Sequence, residues 1–143
     1  MDDLEIHIKD NRNSLKIVSI QRPYPDSDNE WDRDTLNLKV IAHAGAFGGE
    51  YSTFTWSHEL SNLLKLLNDI NDRNYIFELR EKTIRMEFRN HNTNNIKVNI
   101  TVTDDVVFRS WLNFEIIMSA ADLKDLVNTL EKILDKYPVQ IKS

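Results

Sequence analysis

The chain has 143 residues, 41% of them hydrophobic, and no cysteine; this suits one compact domain over 1–143 and excludes disulfides, thiol nucleophiles and thiolate metal sites. A formal charge of -5 opposes a phosphate backbone, so a basic protein is an easier partner than nucleic acid. The start, MDDLEIHIKD, carries acids where a signal peptide needs a basic, then apolar, run, and no window approaches the ~20 apolar residues of a membrane span; the expected location is the cytosol, away from any membrane.

Taken in chain order, Leu4, Ile6 and Ile8 alternate with polar residues and predict a strand. DNRN then offers turn chemistry, and a second strand fills Ser14 to Arg22. Its apolar set shifts from Leu15 and Ile17 to Val18 and Ile20, as a bulge would make it. The next stretch, RPYPDSDNEWDRD from Arg22 to Asp34, alternates Asp26, Asp28, Glu30, Asp32 and Asp34 with other residues around Trp31. It opens like a calcium loop but has Trp31 where the sixth-position glycine belongs and Asn37 where the twelfth-position glutamate belongs. Two readings remain. It is a solvated connection with Trp31 folded back onto the core, or an acidic, aromatic-bearing surface that docks a basic partner through Asp26, Asp28, Glu30, Trp31, Asp32 and Asp34.

Leu36, Leu38, Val40 and Ala42 predict the next strand, and Tyr51 to Trp56 a weaker one. Between them lie all three glycines, Gly45, Gly48 and Gly49. They match neither G-x-G-x-x-G nor a P-loop, and a strand pattern rather than a helix follows, so they mark a hairpin or bulge and not a phosphate cradle. SHELSNLLKLLNDIND then turns to helical period from Ser57 to about Asn71, aligning Leu60, Leu63, Leu64, Leu67 and Ile70. Further strands follow at Asn74 to Leu79, at Ile84, Met86 and Phe88, at Ile96, Val98, Ile100 and Val102, and at Phe108, Leu112, Phe114, Ile116 and Met118. The last helix runs from Ser119 to about Tyr137, with Ser119 as N-cap, Asp122 at the capping-box position and Pro138 ending it.

These elements predict an α+β fold: a mostly antiparallel sheet of seven or eight strands with two amphipathic helices packed on one face, the other face wet. Four strands and a helix occur twice, which suggests a degenerate internal repeat of about sixty residues. The wet face gathers His7, Lys9, Lys39, His43, Arg85, Arg89, Lys97 and Arg109 around Trp111, diluted by Glu5, Glu87 and Glu115. No two histidines share metal-ligand spacing, no H-E-x-x-H or G-x-S-x-G is present, and solvated histidines are the expectation; no catalytic residue, metal or cofactor is assigned.

Tyr24-Pro25, Trp31-Asp32, Leu36-Asn37, AGAFGGEY from Ala44 to Tyr51, Trp56-Ser57 with Glu59-Leu60 opening a leucine-rich helix, and the closing Tyr137-Pro138 together resemble the WapI-type bacterial immunity proteins. The matched order covers most of the chain after Tyr24, with close matching from Tyr24 to Leu60. Thr35 stands where the family pattern has tryptophan, and Ala46 where it has a second glycine. The resemblance implies a non-enzymatic protein that binds the toxic C-terminal domain of a cognate polymorphic toxin and blocks it stoichiometrically inside the producing cell. An acidic chain suits a basic toxin domain. A housekeeping interaction module and a small enzyme using strand carboxylates are the alternatives from other classes; the residues fix no oligomeric state.

Overall fold

A computed structural model describes residues 4–70, 74–92, 94–104 and 110–141. The chain order is β1 (Ile6–Lys9), β2 (Asn13–Gln21), α1 (Glu30–Asp34), β3 (Thr35–Ala44), β4 (Phe47–Trp56), α2 (Ser57–Asn68), β5 (Tyr75–Glu78), β6 (Ile84–Asn92), β7 (Asn95–Thr103), β8 (Trp111–Ser119) and α3 (Ala120–Lys136). The fold is α+β and every strand pairing is antiparallel, but the expected single sheet is two, ordered β1-β2-β3-β4 and β5-β6-β7-β8. Alternation reveals which face of a strand is buried; it says nothing about which strand lies beside it. Four strands and a helix do recur, one set per sheet.

Three helices are present among the described residues rather than two, because α1 forms inside the acidic segment. The expected helix end at Asn71, and the strand position Phe108, lie outside the described residues. The apolar faces of both sheets and the stripes of α2 and α3 share one core cluster, in which Leu15, Leu36, Val40, Phe88, Val98, Ile100, Ile116, Leu130 and Ile133 are fully buried. Ile6 and Leu38 from one sheet, Ile84 and Met86 from the other, and Leu60 and Leu63 of α2 surround a void of only about 10 Å³. The helices therefore do not lie on the face of one broad sheet. They pack on each other, with α3 also touching β1 and β8, while β8 meets β1, β2 and β3.

Local chemistry explains several junctions. The β2 bulge forms at Ser19, which adopts φ +55°, and the register shifts between Val18 and Gln21. Leu15 and Ile17 are thereby joined inside by Ile20, while Val18 stays on the outer face opposite Lys39. Gly45 takes φ +61° as the first central residue of the β3–β4 turn, where Ala44 pairs with Phe47, so the hairpin reading of the glycines holds. Ser119 caps α3 through a capping box: its hydroxyl accepts the Asp122 N–H at 3.1 Å and the Asp122 carboxylate accepts the Ser119 N–H at 3.1 Å.

Candidate functional site

The segment after β2 is ordered by its own short side chains. Asn29 caps α1 by accepting the N–H groups of Trp31 (2.8 Å) and Asp32 (3.3 Å), and Arg33 donates to the Ser27 carbonyl at 2.7 Å. Asp26, Asp28 and Asp32 are exposed and Glu30 is half-buried. None of the ion pairs among the described residues involves Asp26, Asp28 or Asp32, so the segment keeps its negative field.

Asp34 departs from that row: the structure removes it from the expected partner-binding surface, since it is fully buried. Its Oδ2 accepts the His58 N–H at 3.0 Å and lies 3.1 Å from His58 Nδ1, and its Oδ1 accepts the Gln140 N–H at 2.7 Å. Helix α2 has no side-chain cap of its own, and Asp34 supplies one from 24 residues away. Ser57, the first residue of this helix, is buried and accepts from Arg22 at 2.6 Å. Arg22 also donates to the Pro138 carbonyl at 2.8 Å; burial lowers its pKa, against the fields of Asp34 and Tyr137. His58 is thus tied to a carboxylate rather than merely solvated. The neighbouring Ser57 hydroxyl is held by a guanidinium and not by the imidazole, so this trio does not form an activated nucleophile.

Trp31 folds back, but onto a surface cluster outside the core. It is 39% exposed, with its ring edge-on to Trp56 (5.7 Å) and His58 (5.3 Å), and Trp56 meets Phe54 edge-on at 5.4 Å. The Arg80 guanidinium lies 5.7 Å from the Trp31 ring centre and 5.8 Å from that of Trp56. Phe54 and Trp56 alternate with Thr53 and Thr55, but Thr55 is the buried member, so apolar alternation would have turned these rings inward; Arg80 and the Asp34–His58 contact carried no local signal.

The expected wet face is divided. His7, Lys9, Lys39 and His43 lie on the outer face of β1–β4, whereas Arg85, Arg89, Lys97 and Trp111 lie on that of β5–β8; Arg109 falls outside the described residues. Most of these cations meet acids of their own sheet, as in Lys39–Glu50 (3.4 Å), Arg85–Glu87 (3.6 Å) and Lys97–Glu115 (3.8 Å). The Arg89 hydrogen bond holds the Glu87 carboxyl below its ordinary range. On the other face, burial and then the charges of Lys9 and Lys16 lower the His7 pKa, Glu5 opposing. No helix among the described residues is long and apolar enough to cross a membrane.

Fold and site together define a small two-sheet α+β protein with exposed carboxylates beside partly exposed indole rings. The chain belongs to the Immunity protein WapI-like family, which it matches over residues 5–138. Two plant structures share the fold at low identity. A plant transcriptional regulator, PBF-2, superposes with TM-score 0.51 at 11% identity, covering 96% of this chain and 82% of that one. WHY1 from Arabidopsis thaliana gives TM-score 0.53 at 12% identity, covering 99% and 92%. At such identities the likeness concerns the fold alone. No curated protein sequence matches significantly.

Proposed function

We propose that the chain is an immunity protein that binds the toxic C-terminal domain of a cognate bacterial polymorphic toxin in the cytoplasm and neutralises it stoichiometrically, without catalysis. The family supports the class of function. The observation that carries the site is the row Asp26, Asp28, Glu30 and Asp32 around Trp31, with Trp56 and Phe54 behind it. Exposed carboxylates steer a basic partner in from a distance, and an aromatic ring that is already ordered costs little entropy to bury. The partner in this reading is a basic toxin domain rather than nucleic acid.

The test is the combined change Asp26→Lys, Asp28→Lys and Glu30→Lys, read by stopped-flow association with the cognate toxin domain identified by copurification from the native host. Association slows at least about tenfold at low salt, and the difference shrinks as salt screens charges beyond about 8 Å. Trp31→Ala weakens binding by about 2 kcal/mol, more than it lowers stability. An unchanged association rate removes this segment from the interface.

A further inference from the structure

We propose that the cleft at the far end of β4 is a second anchoring point, and that it takes an apolar side chain carried on an extended, lysine- or arginine-bearing segment of the toxin domain. This rests on the reading above that the partner is a basic toxin domain, and adds where and by what chemistry it is gripped.

The cleft exists because core-facing positions there are filled with the smallest residues. Ala42 pairs with Gly49 across the β3–β4 ladder on the inward face, and a Cβ added at Gly49 would meet nothing within 4 Å. Gly48, one position away, is closed off: a Cβ there would run into the His43 ring. Ala42, Gly49 and Tyr51 of one sheet and Val102 and Leu112 of the other border a cavity of about 370 Å³. Phe47 and Trp111 also line it, 74% and 67% exposed, the two most exposed of the described large apolar side chains. Leaving two aromatic rings in water beside an apolar hollow is a cost that burial against a partner recovers.

The occupant follows from the polar groups. A small ligand needs convergent donors and acceptors, yet the Tyr51 hydroxyl is already spent on the Thr83 carbonyl at 2.6 Å. The charged residues among the described lining are two acids, Glu50 and Asp104. Glu50 stands 3.4 Å from Lys39 in an exposed pair, the kind that exchanges readily for a partner's cation, and Asp104 accepts the Ser110 N–H at 3.0 Å. Beside them β4 is the last strand of its sheet, so one row of its backbone groups faces away from the β3 ladder, the side on which an extended chain adds to a sheet.

Both anchors belong to one strand. Trp56, at the end of β4, touches Trp31, and Gly49 lies seven residues back, about 23 Å along a strand. Gly49 faces the inner side of the sheet and Trp56 the outer, so a partner that reaches both wraps around the edge of β4.

The experiment compares Gly49→Val and Trp111→Ala with the wild-type chain in equilibrium and dissociation measurements against the purified cognate toxin domain used to test the proposed function. Gly49 lies outside the left-handed region, so valine fills the cleft without backbone strain and the melting temperature does not fall. Both variants weaken affinity at least about tenfold through faster dissociation, with little dependence on salt, unlike the lysine variants of the acidic segment. If the wild-type chain binds and both variants bind as tightly, this inference is overturned while the proposed function stands. If the wild-type chain does not bind, both are overturned. Should Gly49→Val not fold, Trp111→Ala, changed at an exposed position, decides the matter alone.

Discussion

The Asp34 carboxylate holds three stretches of chain together: the end of α1, the first turn of α2 and the tail after α3. Removing it strands the His58 and Gln140 N–H groups, and losing one member of such a buried, charge-assisted set costs several times what an exposed contact does. Asp34→Ala is expected to lower stability by about 3 kcal/mol in urea unfolding, whereas Asp32→Ala, two residues earlier and exposed, leaves the midpoint nearly unchanged. Equal midpoints for the two would remove Asp34 from this role. Tyr51 gives a second test, through pH. Burial raises its phenol pKa above the ordinary 10.0, the Thr103 N–H opposes and Asp104 adds to the rise. The folded state therefore favours the protonated phenol that donates to Thr83; its contribution is complete below pH 10 and is lost as pH climbs through the higher folded value. Tyr51→Phe should cost about 1 kcal/mol at neutral pH, and the gap to wild type should close above pH 10. A gap of constant size would show that the phenol stays solvated.

At the scale of elements, the two long helices are secured in opposite ways. Helix α3 carries its own start signal in Ser119 and Asp122, three residues apart, so it can begin to form before the sheets meet. Helix α2 has its cap only once Asp34 arrives, which ties its first turn to tertiary contact. Ser119→Ala should cost about 1 kcal/mol, recorded as a loss of thermal midpoint. The equivalent change at Ser57 should act through the lost Arg22 contact rather than through capping. If Ser119→Ala is neutral, the packing of Leu126, Leu130 and Ile133 holds the helix without its cap. Strand β4 is the element on which function turns in the readings above, since one end of it bears Trp56 and Phe54 and the other the open edge beside Gly49.

At the scale of the molecule, one core joins both sheets and both long helices, so neither half retains a complete core alone. The chain is expected to unfold as one domain, with coincident fluorescence and circular dichroism transitions in urea; two separated transitions would make the halves independent. The sequence by itself determined much of this. Period-two alternation identified the buried face of β1, β3, β6, β7 and β8, with Ile100 and Phe114 among the core residues, and helical period with cap chemistry located α3. The glycines read correctly as a hairpin because positive φ and tight turning are local properties. It also identified the exposed acids around Trp31 as a candidate surface, because composition is visible along the chain. Tertiary structure alone decided that eight strands form two sheets, that Asp34 is buried while Asp32 is not, and that Gly49 opens onto a cleft between the sheets. Each of those depends on which distant residues come to lie opposite one another. Periodicity and propensity describe a residue's relation to its near neighbours, and nothing in the Asp34 region records that His58 and Gln140 will be waiting for its carboxylate.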